Sequence, residues 1–313
     1  MELVSVIIPT YNRAETINRA VTSVLSQSYS KLEIIIVDDA STDNTYEVVK
    51  EISDERVKYF KLESNLGGAG ARNFGIEKAK GSFIAFQDSD DEWLPNKLKS
   101  DLELFAKDEK IDCLFSRYWQ VDGKFSKLIP MKSSIDNNKL YSDLLVRNLI
   151  GTPTAIVKAE VFDKVLGFNA SLPRYQDWEL FIRIAKEFKV SMNPDVNVLA
   201  YVSNDSLSKS NMAHLEALEL IYNAHSDEIN NIRSLKSLWL WNIGEARALN
   251  SLTYKDILWS SLKTRFTIMR AIKFCLISLL GVKAYNWYRM VTFRVARFLS
   301  GSRLLAWLKN EDF

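Results

Sequence analysis

The amino-acid sequence predicts an α/β fold with a mostly parallel sheet, followed by a helical C-terminal region. Up to residue 86, short apolar runs rich in β-branched residues alternate with segments of helical spacing, which is the order of strands joined by crossover helices. From about residue 206, strand patterns and prolines are absent, and helical patterns continue to the end. We therefore expect one domain over residues 1–205 and a helical region over residues 206–313.

The predicted elements follow one another in a regular order. Apolar or alternating runs predict strands at residues 3–9, 32–39, 57–62 and 82–86. Apolar spacing predicts a helix over residues 14–25, helix-start residues at 41–45 introduce a second helix, and the glycine-rich segment 65–75 leads into a short third helix. Polar segments come directly after three of the strands, and in a parallel sheet such segments meet at one edge, where ligands bind.

Length and composition are those of an ordinary globular protein. Of the 313 residues, 47% are hydrophobic and 26% are charged, which excludes a disordered chain. Cys113 and Cys275 are far apart in apolar runs, so we expect no disulfide, no cysteine metal site and a reducing compartment. The N-terminus has no basic segment before its first strand, which argues against a signal peptide. No uncharged stretch exceeds eleven residues, so we expect no membrane-spanning helix.

Charge is distributed unevenly along the chain, although the formal net charge is only +2. Residues 255–313 contain 11 Lys or Arg and 3 acidic residues, a net of +8, which leaves 30 against 36 and a net of −6 for residues 1–254. The basic tail also has apolar residues at helical spacing: Ile257, Leu258, Trp259, Leu262, Phe266 and Met269. Basic amphipathic helices with aromatic residues bind anionic membrane surfaces. The alternative is that this tail packs on the rest of the chain or on a second subunit, as in a homo-oligomer.

The segment SFIAFQDSDDEWL at residues 82–94 follows a predicted strand with a cluster of carboxylates. Four acidic residues occur within five positions: Asp88, Asp90, Asp91 and Glu92. Such carboxylates repel one another unless positive charge lies among them, and hard divalent cations take oxygen ligands and bridge to phosphates. The alternative is an acidic loop that precedes the next helix. Because the cluster shares a sheet edge with two other polar loops, the pattern favours a cation site at Asp88 and Asp90.

Four segments in order carry a resemblance to a known family: VSVIIPTYNR, IIIVDDASTDNT, NLGGAGARNFGI and FIAFQDSDDEW. They resemble the family-2 glycosyltransferases, inverting enzymes of the GT-A fold, of the type found in bacterial polysaccharide biosynthesis. The resemblance covers residues 3 to about 205. It implies a nucleotide-sugar donor, UDP-linked, bound by residues 1–92, and an acceptor half at residues 93–205. The implied reaction transfers a hexosyl or N-acetylhexosaminyl group to a hydroxyl of a glycan or lipid-linked glycan.

The resemblance also implies which residues bind the nucleotide. Pro9, Thr10 and Tyr11 correspond to the segment that lines the nucleotide pocket, and Asp39 corresponds to the acid that binds the uracil ring. From its local sequence alone, Asp39 could instead form an Asx turn before the helix that begins near residue 45.

Further positions complete the implied donor site. Gly67 permits close approach of a ligand to the backbone or a positive φ. Arg72 corresponds to a basic residue near the nucleotide, with an ion pair to a surface acid as its alternative. Asp88, Ser89 and Asp90 match the D-x-D motif of the family, and the resemblance implies that Asp90 is the more direct ligand of Mn²⁺ or Mg²⁺. Such a cation stabilises the charge that develops on the leaving nucleoside diphosphate.

An inverting transfer also needs a base on the face opposite the leaving group, and residues 172–188, LPRYQDWELFIRIAKEF, offer one. Apolar residues at helical spacing from Trp178 onward predict a helix with Asp177 in its first turn. The resemblance implies that Asp177 is the general base, and Glu179 is the second candidate. The alternative for Asp177 is an acid that only stabilises the start of the helix through the helix dipole.

The chain departs from the family pattern in the metal shell. Many relatives carry a histidine shortly after position 201, where this chain has Ser203 and Asn204, and its nearest histidine is His214, in a predicted helix. We therefore expect the metal to be held mainly by Asp88, Asp90 and the diphosphate of the donor.

Other functions fit the sequence less well. A nicotinamide dehydrogenase would carry G-x-G-x-x-G after the first strand, where this chain has PTYNRA, and a sugar-nucleotide pyrophosphorylase would carry a glycine-rich basic loop there. Nucleic acid is not expected as a partner, since the tail has no aromatic–basic recognition motif. The second hypothesis is a non-catalytic sugar-nucleotide-binding or scaffold protein of a polysaccharide assembly system. The predicted location is the cytoplasm, peripherally at the inner face of the cell membrane.

Overall fold

The computed structural model describes residues 2–123, 125–131, 135–202 and 210–298 of the chain. The chain divides into two compact units, Met1–Ser206 and Leu207–Phe313. Both cysteines are free thiols, with Cys113 buried in the first unit and Cys275 exposed in the second.

Within the described residues of the first unit, nine strands form one sheet. The strands are β1 (Val4–Thr10), β2 (Leu32–Asp38), β3 (Val57–Lys61), β4 (Phe83–Phe86), β5 (Glu92–Trp93), β6 (Cys113–Asp122), β7 (Phe125–Ile129), β8 (Ala155–Lys158) and β9 (Val190–Tyr201). The α-helices of this unit are α1 (Ile17–Leu25), α2 (Thr45–Lys50), α3 (Gly67–Lys78), α4 (Lys97–Lys107), α5 (Leu140–Val146), α6 (Val161–Val165) and α7 (Gln176–Glu187).

The sheet combines a parallel block with antiparallel additions. Its strand order is β3-β2-β1-β4-β8-β6-β9-β5, with β7 paired to β6. The four strands predicted from residues 3 to 86 are mutually parallel, as the alternation of strands and helices indicated. Strand β8 then runs antiparallel to both β4 and β6, and β6 pairs with β9 in parallel. The sequence pattern did not predict the strands of this second half.

The first strands are buried because they are continuous apolar runs. Every residue of β2, and every residue but one of β1, is buried. Helix α1 packs Ile17, Val21 and Val24 against the same core. Complete burial of each such side chain contributes roughly 1.5–3 kcal/mol, so this block holds the strand ends in a fixed arrangement.

The glycine-rich segment differs from expectation, because it forms the first turns of α3 rather than a loop before it. Gly67 has a φ of +74°, in the left-handed region that favours glycine. Gly75 faces β1, where a Cβ would come within 2.5 Å of Cγ2 of Ile7. The glycines therefore let α3 begin in a left-handed turn and pack closely on β1.

The described part of the second unit contains five helices: α8 (Asn211–Ala224), α9 (Ser226–Asn231), α10 (Arg233–Leu249), α11 (Lys255–Thr264) and α12 (Ile268–Phe298). Its own apolar cluster includes Trp241, Leu258, Ile277 and Tyr285. Helix α12 is interrupted at Gly281, which has φ +78° and ψ 171°. Among the residues described, none of the helices has the length and apolar character needed to cross a membrane. The predicted tail continues through residues 299–313, which lie outside the described part.

Candidate active site

Three loops meet at one edge of the sheet because β1, β2 and β4 are neighbouring parallel strands. The amide of Asp39, just after β2, donates to the carbonyl of Thr10 at the end of β1 at 2.8 Å. On the other side of β1, the amide of Gln87 donates to the carbonyl of Ile7 at 3.0 Å. The strands thus end side by side, and the three polar segments noted in the sequence share the edge at which ligands bind in such sheets.

The loop after β1 is held by Asn12, a residue that the sequence analysis did not single out. Asn12 has a φ of +51°, a left-handed conformation that asparagine tolerates better than most residues. Its amide donates to Oγ of Ser41 at 2.9 Å, and its Oδ1 accepts from the amide of Thr42 at 2.9 Å. The first loop is therefore tied to the second, with Tyr11 45% exposed at the edge and Thr10 buried.

Asp39 connects the loop after β2 to the start of α3. It is buried, and its Oδ1 accepts a hydrogen bond from the amide of Leu66 at 2.6 Å. The Asx turn considered from the sequence does form, but its carboxylate is that of Asp43, whose Oδ1 accepts from the amide of Thr45 at 3.0 Å. Asp39 is therefore a cross-link at the sheet edge and not a local turn residue.

Three other predicted donor-site residues surround this edge. Pro9 is half-buried within β1, and Ser89 is buried between the two acids of the D-x-D motif. Gly67 begins α3, and nothing lies within 4 Å of the position that a Cβ would occupy there. The backbone at Gly67 is therefore open to close approach by a ligand.

Arg72 extends from α3 to the acidic cluster. Its Nη2 lies 2.6 Å from Oδ1 of Asp88, and its guanidinium lies 5.6 Å from the centroid of the Phe168 ring. The ion pair considered as the alternative for Arg72 therefore exists, but its partner is the first acid of the D-x-D motif. Because a guanidinium has five N–H donors, Arg72 can contact Asp88 and a phosphate group at the same time.

Two further arginines, missed in the sequence analysis, lie beside Asp90. Nε of Arg13 is 3.8 Å from Oδ2 of Asp90, and Arg19 donates to the backbone carbonyl of Asp90. Arg19 also lies over the ring of Tyr201, 4.1 Å from its centroid. Together with Arg72, these residues supply the positive charge that a dense group of carboxylates requires. Arg13 is visible in PTYNR, but its contact with a distant acid has no local signal.

Burial and mutual repulsion still disfavour ionisation within the cluster. Burial, and then the charge of Asp88, raises the pKa of Asp90. Burial, and then Asp88 and Asp90, raises the pKa of Asp91 well above its usual range. Asp91 is buried and accepts a hydrogen bond from the amide of Tyr201 at 2.9 Å, so it ties the loop after β4 to the end of β9. A cation bound at Asp88 and Asp90 would offset this repulsion.

The carboxylates of Asp88 and Asp90 suit a hard cation that takes its remaining ligands from water and phosphate. The described residues contain no group of three or more His, Cys, Asp or Glu arranged to hold a metal ion. The side chains of Asp88 and Asp90 are 29% and 25% exposed, and two carboxylates fit Mg²⁺ or Mn²⁺, which also take water and phosphate oxygens. His214 lies on α8, whereas Ser203 and Asn204 lie outside the described residues.

Asp177 lies in the first turn of α7, after Tyr175, whose φ is +62°. Its Oδ1 accepts a hydrogen bond from the amide of Trp178 at 2.8 Å, and its Oδ2 accepts one from Nδ2 of Asn148 at 3.1 Å. Burial raises the pKa of Asp177, while the two hydrogen bonds and the charge of Arg72 act in the opposite direction. The sequence analysis missed Asn148, which has no recognisable local pattern.

Electrostatic coupling connects Asp177 to the acidic cluster. The charge of Asp88 raises the pKa of Asp177, although it contributes less than burial does. Tyr118 on β6 has its pKa raised to about 12 by burial and then by the charges of Asp177 and Asp91. The candidate base therefore lies within electrostatic range of Asp88 and Arg72.

Glu179, the second candidate base, has a different role. It is buried, and its Oε1 lies 2.7 Å from Nε of Arg183. Arg183 in turn donates to the carbonyl of Gly167 at 2.8 Å. This arrangement holds α7 against the segment after α6, and it leaves Asp177 as the base candidate.

Comparison with known proteins decides the family. Residues 5–165, which are more than half of the chain, match the family model described as Glycosyl transferase family 2. The chain belongs to this family. The family and the enzyme class, glycosyltransferase, that the four motifs implied are thereby confirmed.

Two relatives illustrate how far the similarity extends. The chain is 34% identical over 223 residues to the UDP-Glc:alpha-D-GlcNAc-diphosphoundecaprenol beta-1,3-glucosyltransferase WfgD of Escherichia coli, which covers 70% of this chain and 82% of WfgD. It is 31% identical over 242 residues to an uncharacterized glycosyltransferase of Rickettsia felis, covering 75% of this chain but 40% of that protein. The chain therefore spans less than half the length of the Rickettsia relative.

Solved structures of other transferases share the fold. Residues 1–349 of TarS from S. aureus, in complex with UDP-GlcNAc, match with a TM-score of 0.64 at 20% identity, covering 92% of this chain and 91% of that one. The mannosyltransferase PcManGT from Pyrobaculum calidifontis, in complex with GDP-Man and Mn²⁺, matches with a TM-score of 0.57 at 18% identity, covering 96% and 88%. At these identities the likeness concerns the fold, and it confirms the expected GT-A class.

Proposed function

We propose that the chain is an inverting, metal-assisted glycosyltransferase that uses a UDP-linked sugar and transfers its hexosyl or N-acetylhexosaminyl group to a hydroxyl of a glycan or lipid-linked glycan. The observation that carries the proposal is the contact of Arg72 with Asp88 at 2.6 Å at the sheet edge, within electrostatic range of Asp177. The reaction named for WfgD and the UDP-GlcNAc complex of TarS support a UDP-linked donor.

In this proposal the nucleotide lies across the ends of β1 and β2. Pro9, Thr10 and Tyr11 line its pocket, and the exposed ring of Tyr11 offers an aromatic face to the uracil ring. Asp39 binds the uracil ring from the second loop, where its hydrogen bond to Leu66 already orients the carboxylate.

The diphosphate lies over the acidic cluster. Asp90 and Asp88 would hold Mn²⁺ or Mg²⁺ through carboxylate oxygens, and that cation would stabilise the charge of the leaving diphosphate. Arg72 and Arg13 direct N–H donors toward the same region, and guanidinium groups bind phosphate oxygens well. The Mn²⁺ complex of PcManGT supports a divalent ion in this fold.

The acceptor hydroxyl attacks the anomeric carbon from the face opposite the diphosphate, and Asp177 takes its proton as the new C–O bond forms. A base is most effective when its pKa lies near the working pH, and burial raises the pKa of Asp177 toward that range. Inversion of configuration follows because attack and departure occur on opposite faces.

We further propose that the C-terminal region attaches peripherally to the inner face of the cell membrane, where a lipid-linked acceptor is accessible. Six large apolar side chains on or beside α11 and α12 are 46–80% exposed: Trp259, Phe266, Ile268, Ile272, Leu279 and Leu280. Residues 255–298 contain nine Lys or Arg and one acid, nine minus one giving a net of +8. Anionic lipid complements this charge, whereas two copies meeting through it would repel. This favours a membrane over a homo-oligomer interface.

A donor panel tests the catalytic proposal. UDP-glucose, UDP-GlcNAc and GDP-mannose are each incubated with the full chain and Mn²⁺, with and without a membrane lipid extract as the source of acceptor. We expect release of UDP from a UDP-sugar, and its loss when EDTA is added. Binding of donor without any release would support the non-catalytic alternative, and release that EDTA does not affect would refute the role of the metal.

A further inference from the structure

We propose that Asn148 is a positioning residue for the general base: its side-chain amide holds the Asp177 carboxylate in the orientation in which it accepts the proton. The inference rests on the proposed role of Asp177. It adds a residue that lies outside the four motifs.

The amide of Asn148 has one consistent orientation. Its Nδ2 donates to Oδ2 of Asp177 at 3.1 Å, and its Oδ1 accepts from the amide of Ile150 at 3.2 Å. An ionised carboxylate can only accept and a backbone amide can only donate, so the two partners assign the same oxygen and nitrogen positions. Ile150 is fully buried, which anchors the loop that carries Asn148.

The two segments that carry Asn148 and Asp177 are also fixed to each other. Nε1 of Trp178, the residue after Asp177, donates to the carbonyl of Leu144 in α5 at 2.6 Å. Leu144 is fully buried and Trp178 nearly so. The packing of α5 against α7 therefore holds Asn148 and Asp177 in contact. The carboxylate is preorganised before the acceptor arrives.

The contact has a chemical consequence for the base. The Trp178 amide engages Oδ1 of Asp177, and Asn148 engages Oδ2. Each carboxylate oxygen has two lone pairs, so Oδ2 can keep its bond to Asn148 while it accepts a proton. The Asn148 hydrogen bond lowers the pKa of Asp177 against the effect of burial. Asn148 is itself exposed.

The first test is the pH profile of UDP release from UDP-glucose with Mn²⁺, in which water serves as the acceptor. Asn148→Ala should move the acid limb of the profile to higher pH, and Asn148→Asp should move it further because a second carboxylate would face Asp177. The affinity for UDP, measured by calorimetry, should not change. Asn138→Ala, at another exposed asparagine of the same unit, is the matched control. Lower activity without movement of the acid limb would overturn the proposal.

The second test does not need donor turnover. The stability difference between wild type and Asn148→Ala should be larger at neutral pH and shrink as pH falls through the folded-state pKa of Asp177, because the amide binds the ionised carboxylate more strongly than the protonated one. In an Asp177→Asn background the effect of Asn148→Ala should not depend on pH. A pH-independent effect in both backgrounds would refute the positioning role.

The proposed roles of Asp177 and Asn148 can be refuted separately. If Asp177→Asn retains transfer, the base assignment is wrong. If Asp177→Asn loses transfer while Asn148→Ala keeps the wild-type acid limb and a pH-independent stability difference, the base assignment stands and only the role of Asn148 is wrong.

Discussion

Replacing Asp177 with asparagine should abolish transfer while leaving the fold and donor binding intact. The substitution keeps the size of the side chain but removes the proton acceptor. A positioned base contributes ~10²–10⁴ in rate, which corresponds to about 3–5 kcal/mol of the barrier. Donor affinity should stay the same, because Asp177 hydrogen-bonds to Trp178 and Asn148 and not to the residues of the proposed nucleotide pocket.

The effect of this substitution on stability follows from two opposing changes. Asparagine loses one hydrogen bond, because Asp177 accepts at both oxygens, from Trp178 and from Asn148, and asparagine has only one acceptor oxygen. Such a bond is worth about 0.5–1.5 kcal/mol. It also removes a carboxylate whose pKa burial raises. A raised pKa means that ionisation of Asp177 disfavours the folded state. The free energy of unfolding of the variant therefore rises relative to that of wild type as pH rises through that pKa. We expect a net change in the free energy of unfolding below about 1.5 kcal/mol at pH 7.

The assay combines product formation, donor binding and a thermal melt on the same preparation. Asp163→Asn is the matched control, because Asp163 is also an acid in the first turn of a helix, α6, and is exposed. Transfer by Asp177→Asn at more than about a tenth of the wild-type rate would be incompatible with loss of a base. If the two variants behave alike, Asp177 only stabilises the start of its helix.

Asp90→Ala should abolish EDTA-sensitive release of UDP without lowering the melting temperature, because Asp90 lies at a partly exposed edge; wild-type release by the variant would contradict the metal site. Leu279→Asp should reduce flotation of the full chain with anionic vesicles, whereas Leu252→Asp, at an exposed leucine outside the proposed surface, should not; equal flotation of both variants would contradict that surface. Asp101→Ala should lower the free energy of unfolding by ~3–5 kcal/mol, measured with urea, since it leaves the buried ammonium of Lys97 without the carboxylate at 2.7 Å. A loss below about 1 kcal/mol would show that this charge is compensated elsewhere.

Most of the N-terminal fold could be predicted because its information is local. The runs at residues 3–9 and 32–39 are apolar without alternation, which is the pattern of parallel strands buried on both faces. The carboxyl ends of such strands lie at one edge of the sheet. The sequence alone therefore predicted that Asp39 and Asp88 share that edge. The strands after residue 112 could not be assigned in the same way, because β6 and β9 are irregularly paired and separated by helices.

The partners of the site residues could not be predicted. Asp38 and Asp39 are adjacent and chemically identical, yet Asp38 accepts a hydrogen bond from the amide of Ser41 in its own loop, whereas Asp39 accepts one from the amide of Leu66. Similarly, Glu179 and Asp177 lie in one helical turn, but Glu179 is buried against Arg183 and Asp177 faces Asn148. Neighbouring acids of the same type have the same local sequence signal, and they differ only in the direction that the folded backbone gives each side chain.

By itself, the sequence determined the fold class, the family, the edge at which the site lies and the basic character of the tail, because burial patterns, motif order and net charge are properties of the chain. The tertiary structure decided which polar side chains meet: Arg72 with Asp88, Arg13 with Asp90, and Asn148 with Asp177. These pairs join residues 16, 77 and 29 positions apart, as the differences of their numbers show. Periodicity extends over a few turns or one strand, whereas a contact between distant side chains depends on how packed elements place their ends in space.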